Sequence, residues 1–112
     1  MEFKGTPGPW SHADSHGLNE TAGGAIHGDG KTLCLILGKG IGKEKATANA
    51  KLMAAAPELL SALQGIQQSL AKYINIANNI GMDVTADGFY LGHAMEVEEQ
   101  ARAAINKALG RE

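Results

Sequence analysis

The chain has 112 residues, 44% of them hydrophobic and 20% charged, with ten basic and twelve acidic side chains giving a formal charge of -2. That length holds one domain, and the balance excludes both a disordered chain and a strongly basic one that coats phosphate backbones or anionic lipid. Aromatic residues are only 4% and glycines number 15, so the core rests on small side chains, and self-association is the expected source of additional buried surface.

Thr6-Pro7-Gly8-Pro9-Trp10 predicts an extended lead-in, because proline lacks an N–H and drives its predecessor out of the helical region. A short strand follows from Trp10 to about Asp14. Ser15-His16-Gly17-Leu18-Asn19 offers a turn, and a second strand is expected around 23–27. Asp29-Gly30 separates Ala25-Ile26-His27 from Thr32-Leu33-Cys34-Leu35-Ile36-Leu37, and this dipeptide tolerates the positive φ angles of a two-residue hairpin turn. The run from Leu33 to Leu37 is apolar on both faces, which predicts cover on both, from helices on one side and from a neighbouring subunit or loop on the other. Cys34, the single cysteine, reads as a buried, reduced thiol inside that run.

From Lys43 onward the pattern becomes helical. Pro57 either kinks one helix or separates two; the favoured reading is two helices, 43–55 and 57–79, with Pro57 in the first helical position of the second, where its missing N–H costs nothing. Ala46, Ala50, Met53 and Ala54 share one face of the first helix, suited to close packing on the sheet. Leu52, Ala56, Leu59, Leu63, Ile66, Leu70, Tyr73, Ala77 and Ile80 recur at alternating spacings of four and three, the seam of a supercoiled helix. Gly65 within it costs about 0.8–1.0 kcal/mol relative to alanine, which predicts a close backbone contact there. Residues 82–92 form a connection in which Asp87-Gly88 and Phe89-Tyr90-Leu91 suggest a turn or short hairpin.

A last helix is predicted over 93–109, with Gly110 just past its end. Its seam is Ala94, Val97, Ala101, Ala104 and Ala108, flanked by Ile105 and Leu109, small enough to receive the larger residues of the preceding helix. The expected fold is α+β in a single domain, 1–112. A small antiparallel sheet of two or three strands occupies 5–42, and an alanine-rich helix with an antiparallel helical hairpin occupies 43–112.

Several residue sets invite chemistry. Gly38, Lys39, Gly40, Ile41, Gly42 and Lys43 stand between a strand and a helix, the order in which glycine loops cradle anions. Glu44 replaces the Ser or Thr of the phosphate-loop pattern, and a plain connector with solvated lysines is the simpler reading. His12, His16 and His27 lack a matching cysteine or carboxylate spacing, so no metal is expected. Glu58, Glu96, Glu98 and Glu99 read as a solvated helix face, and Ser11, Ser15 and Ser61 have no nucleophile-elbow context. Asp87 and His93 have no geometric argument for catalysis, and no cofactor is predicted. Trp10 reads as cover for a sheet edge. Lys43, Lys45 and Lys51 with Asn49 form a short basic face, but the acidic balance argues against nucleic acid.

The segments Thr6-Pro7-Gly8-Pro9-Trp10 and Asn49-Ala50-Lys51-Leu52-Met53-Ala54-Ala55-Ala56-Pro57-Glu58-Leu59-Leu60 resemble a family of small phage and prophage proteins. That family pairs such a start with an Asn-Ala-Arg/Lys-Leu-Ile/Met-Ala-Ala-Ala-Pro-Glu-Leu-Leu helix. The resemblance implies phage origin and expression in a bacterial cytoplasm, and it carries no activity and no ligand residues. Gly5 stands where the family commonly has histidine. The opening Met1-Glu2-Phe3-Lys4-Gly5 has no leader character, and no membrane span is expected.

The expected function is therefore that of a non-enzymatic accessory protein. It binds a host protein that it modulates or sequesters, as a homo-oligomer, through Leu59, Leu63, Ile66, Leu70 and Tyr73. The alternative is a binder of a nucleotide-type anion at the loop of Gly38, Lys39, Gly40, Gly42 and Lys43.

Overall fold

A computed structural model describes residues 2–14, 23–79 and 91–111. In chain order they form β1 (Trp10–Ala13), β2 (Gly24–Gly28), β3 (Lys31–Ile36), α1 (Lys43–Ala54), α2 (Ala56–Asn79) and α3 (Leu91–Ala108), an α+β arrangement as expected. The turn read at 15–19 and the connection read at 82–90 lie outside the described residues. The chain falls into two compact units, residues 1–59 and 60–112.

In the first unit the three strands pair antiparallel in the order β1-β2-β3. Asp29 and Gly30 both take positive φ, 53° and 75°, and close the β2-β3 hairpin as their chemistry predicts. Ile26 pairs with Cys34 while His27 pairs with Thr32, so Leu33 is an extra residue, a bulge. The bulge turns its side chain toward the core with Trp10. Alternation alone would have kept Leu33 on the same face as Leu35.

The core of this unit is Ile26 and Ile36 from the sheet against Ala46 and Ala50 from α1. Both alanines are fully buried, and their lack of bulk lets the helix lie close to the strands. Gly23 belongs to the same fit, since a Cβ there would run into the Ile36 side chain and approach the Ala46 carbonyl oxygen to 3.0 Å. Met53 does not share this face and is exposed. The inward line runs Ala46, Ala50, Ala54 at every fourth residue, and Met53 sits about 100° away from Ala54.

The reading of Cys34 as a buried thiol is corrected. Leu35 and Leu37 are exposed, and so is the free thiol of Cys34. β3 is an edge strand, and α1 packs on the face that carries Ile26 and Ile36. Trp10 is half-buried and donates from Nε1 to the Thr6 carbonyl at 3.0 Å, with the Phe3 ring edge-on at a centroid distance of 6.3 Å.

α1 ends at Ala54, and Ala55 turns its N–H back onto the carbonyls of Lys51 and Leu52. α2 starts at once, with Pro57 in its first turn, where helical amides have no intrahelical acceptor. Two helices therefore meet at this proline, as read from the sequence.

Among the described residues of the second unit, those buried are Ala77 of α2 and Leu91, Ala94, Ala101 and Ile105 of α3. The seam read for α3 is corrected, because Val97, Ala104 and Ala108 are exposed. The inward line is Leu91, Ala94, Glu98, Ala101 and Ile105, and it shares only Ala94 and Ala101 with the expected seam. α3 closes in a Schellman motif. Gly110, at φ 74°, donates its N–H to the Lys107 carbonyl, and Arg111 donates to that of Asn106 at 2.7 Å.

The close helix-to-sheet fit makes a direct prediction. Ala50→Leu forces a large side chain into a filled interface and lowers unfolding stability by about 1–3 kcal/mol. Ala48→Leu, on the exposed side of α1, stays within about 0.5 kcal/mol. Urea unfolding of the two variants checks this, and equal losses would contradict the packing described.

Candidate protein-binding face

α2 carries two apolar lines rather than one. Leu63, Gln67, Leu70 and Ile74 are half-buried and Ala77 is buried, at spacings of four and three. One residue before each member of this series stand Ala62, Ile66, Ser69, Tyr73 and Ile76, all exposed. A step of one residue turns a helix by about 100°, so the second line occupies the neighbouring face. Leu59 continues it one turn earlier on α2. Leu59, Ile66, Tyr73 and Ile76 are 53%, 59%, 42% and 54% exposed, and none of the six positions is charged.

The seam expected from the sequence drew alternately from these two faces. Leu63 and Leu70 belong to the inner line, while Leu59, Ile66 and Tyr73 belong to the outer one. Gly65 makes no close contact, since nothing lies within 4 Å of the place its Cβ would take. Its effect is instead to hollow the outer face, where Gly65, Ile66, Ser69 and Leu70 line a shallow groove. On α3, Met95 and Val97 are also exposed.

The inner line contains one polar position that ties α2 to α3. Gln67 Nε2 donates to Glu98 Oε2 at 2.6 Å, and Arg102, one turn further along α3, donates to both carboxylate oxygens at 3.3 and 3.4 Å. The Glu98 side chain is only 13% exposed. The Gln67 hydrogen bond holds its carboxyl below the ordinary range against the opposing effect of burial, and the Arg102 hydrogen bond and charge add to the lowering. Reading Glu98 with Glu58, Glu96 and Glu99 as a solvated face missed this role. A signal was present: Gln67 interrupts an apolar line at a seam spacing, and a lone polar residue at such a place often sets pairing register.

The loop of Gly38, Lys39, Gly40, Ile41, Gly42 and Lys43 has a defined shape. The Gly38 carbonyl accepts the N–H groups of both Ile41 and Gly42 at 3.0 Å, and Gly40 and Gly42 take φ of 80° and 95°. Two amides of the loop are thus turned onto its own backbone. Lys39 and Lys43 are exposed. His12 donates from Nε2 to the Gly23 carbonyl at 2.7 Å, and His27 Nδ1 shares a hydrogen bond with the Thr32 hydroxyl at 3.1 Å. Among the described residues no three His, Cys, Asp or Glu side chains cluster as a metal site. His16 and Asp87 lie outside the described residues. No helix among the described residues is long and apolar enough to cross a membrane.

Fold and surface together define a small α+β protein that presents an uncharged helix face. The chain belongs to the family of Salmonella phage P22 protein Y8K6, whose model matches residues 1–112. No curated protein matches the chain, and no solved structure does.

The Gln67–Glu98 contact predicts a pH signature. The folded carboxyl is depressed relative to the unfolded chain, so its stabilisation is complete above the ordinary carboxylate range and is lost as pH falls through the folded value. Gln67→Ala then costs about 1.5–3 kcal/mol at pH 7, as for a hydrogen bond to a charged group, and distinctly less at pH 3. Denaturant unfolding at the two pH values reads the difference, and a loss independent of pH would count against the contact.

Proposed function

We propose that this protein is a non-enzymatic phage accessory protein that acts by binding other proteins. It works as a homo-oligomer in the bacterial cytoplasm and modulates or sequesters a host factor. The observation that supports this reading is the outer line of α2. Large apolar side chains held in solvent at seam spacing are an unfavourable surface for a monomer and a suitable one for another helix. Membership of a phage family supports the setting.

Capture of a nucleotide-type anion by the loop of Gly38, Lys39, Gly40, Gly42 and Lys43 has less support. The amides of Ile41 and Gly42 already bond within the loop, which leaves fewer donors to receive an anion.

Ile66→Glu tests the binding reading, because Ile66 is exposed and its replacement leaves the folded chain intact. Tagged wild-type protein and the variant are passed through lysate of the bacterial host, and retained proteins are compared by mass spectrometry. The expected result is a specific protein held by the wild type and lost, by at least about tenfold, or about 1.4 kcal/mol, in the variant. Equal retention by both, or none above the bare matrix, would overturn the reading.

A further inference from the structure

We propose that the turn between β3 and α1 docks the protein reversibly on an anionic lipid bilayer. This goes beyond the α2 face and does not rest on it. The chain as a whole is acidic, yet five of its ten basic residues and only one of its twelve acids lie between Lys31 and Pro57. The densest part of that run is Lys39, Lys43 and Lys45, all exposed, where the chain passes from β3 into the first turn of α1.

The same connection holds apolar side chains in solvent. The Gly38 carbonyl accepts the N–H groups of Ile41 and Gly42, so the chain folds back and sets Leu37 and Ile41 at the two feet of one turn, with Lys39 and Gly40 at its tip. Leu37 is 62% exposed and Ile41 46%. Nothing lies within 4 Å of the places that Cβ atoms at Gly40 and Gly42 would take, so open space surrounds the turn at both glycines.

Lysines beside exposed aliphatics narrow the chemistry of the partner. No arginine and no aromatic residue occurs between 31 and 57, whereas protein interfaces are rich in both and poor in lysine, and nucleic acid is held by arginine forks and stacked aromatics. A bilayer requires neither. Leucine and isoleucine enter the acyl boundary below the headgroups, while lysine stems keep their ammonium groups among the phosphates. A fluid surface accepts isolated apolar tips without a shaped pocket, and a turn closed by its own hydrogen bonds has little freedom left to lose on contact. Recognition here comes from the lysine side chains, so the two amides turned onto the loop backbone are no obstacle. Glu44 stands inside the run and Asp14 follows β1 on the other edge of the sheet, which leaves the lysines in excess.

Vesicle sedimentation of the full chain tests the docking. Three lysines and two aliphatic side chains make a weak anchor, on the order of 10³–10⁴ M⁻¹ and at or below that of one acyl chain, so about 1 mM lipid holds roughly a third or more of the protein. That is expected with phosphatidylglycerol-rich vesicles and not with pure phosphatidylcholine, and salt at about 0.5 M releases the protein by screening. Lys39→Gln with Lys43→Gln, and separately Leu37→Ser with Ile41→Ser, each lower the association constant at least about fivefold. All four positions are exposed, and circular dichroism checks that both double variants fold. Ile66→Glu binds vesicles as the wild type does, so this test and that of the α2 face fail independently. No sedimentation with phosphatidylglycerol, or equal sedimentation with both lipids, overturns the proposal. Release by excess soluble glycerol phosphate also overturns it, by giving the loop to a small anion. So does tighter binding to duplex DNA that ignores Leu37→Ser with Ile41→Ser, which makes the surface a nucleic-acid one.

Discussion

The structure depends on a helix with two apolar faces. α2 carries an inner line that meets α3 at Gln67 and Glu98 and an outer line of exposed residues, and the two lie about 100° apart because each outer residue directly precedes an inner one. The Gln67–Glu98 hydrogen bond joins the inner line to α3. Rotating α2 to bury Ile66 and Tyr73 against α3 would pull Gln67 away from a carboxylate that is only 13% exposed. Glu98 would then be left nearly buried with Arg102 as its remaining partner. A lone polar contact at a seam position is the kind of interaction that sets helix register.

The first unit solves a different problem with different means. Its core is thin, two isoleucines against two alanines, and works because α1 approaches the sheet closely. Glycines at 23 and 28 keep the strand backbone clear of Ile36, Trp10 and Leu33. The Leu33 bulge adds a large side chain to that core and leaves Leu35 exposed. The aromatic-poor, glycine-rich composition is thus a packing solution, and it leaves exposed apolar side chains on β3 as well as on α2.

Much of this was legible in the residues. The Asp29-Gly30 turn, the two helices meeting at Pro57 and the Gly110 cap each rest on backbone chemistry that neighbouring residues cannot change, and each stands where the sequence places it. Burial was less legible because it depends on partners. Cys34 and Leu35 look like core until β3 proves to be an edge strand. The single seam from Leu52 to Ile80 averaged two faces, since a spacing of three and four fits a line drawn between them. The adjacent apolar pairs Leu59-Leu60, Ala62-Leu63, Tyr73-Ile74 and Ile76-Ala77 were the sign of a band wider than one seam. Of the outer positions, Leu59, Ile66 and Tyr73 were named from the sequence, while Ile76 and the Gln67–Glu98 contact were not named at all.

The central claim is that neighbouring positions on α2 have different fates, one inside the fold and one on the exposed face that the proposed function assigns to association. Thiol labelling of Ile76→Cys and Ala77→Cys, each in the Cys34→Ser background and at several protein concentrations, tests this most directly. The account predicts that a thiol at 76 reacts quickly in dilute solution and slows as the protein is concentrated. A thiol at 77 should react slowly throughout. Equal rates at the two positions, or a rate at 76 that ignores concentration, would contradict it.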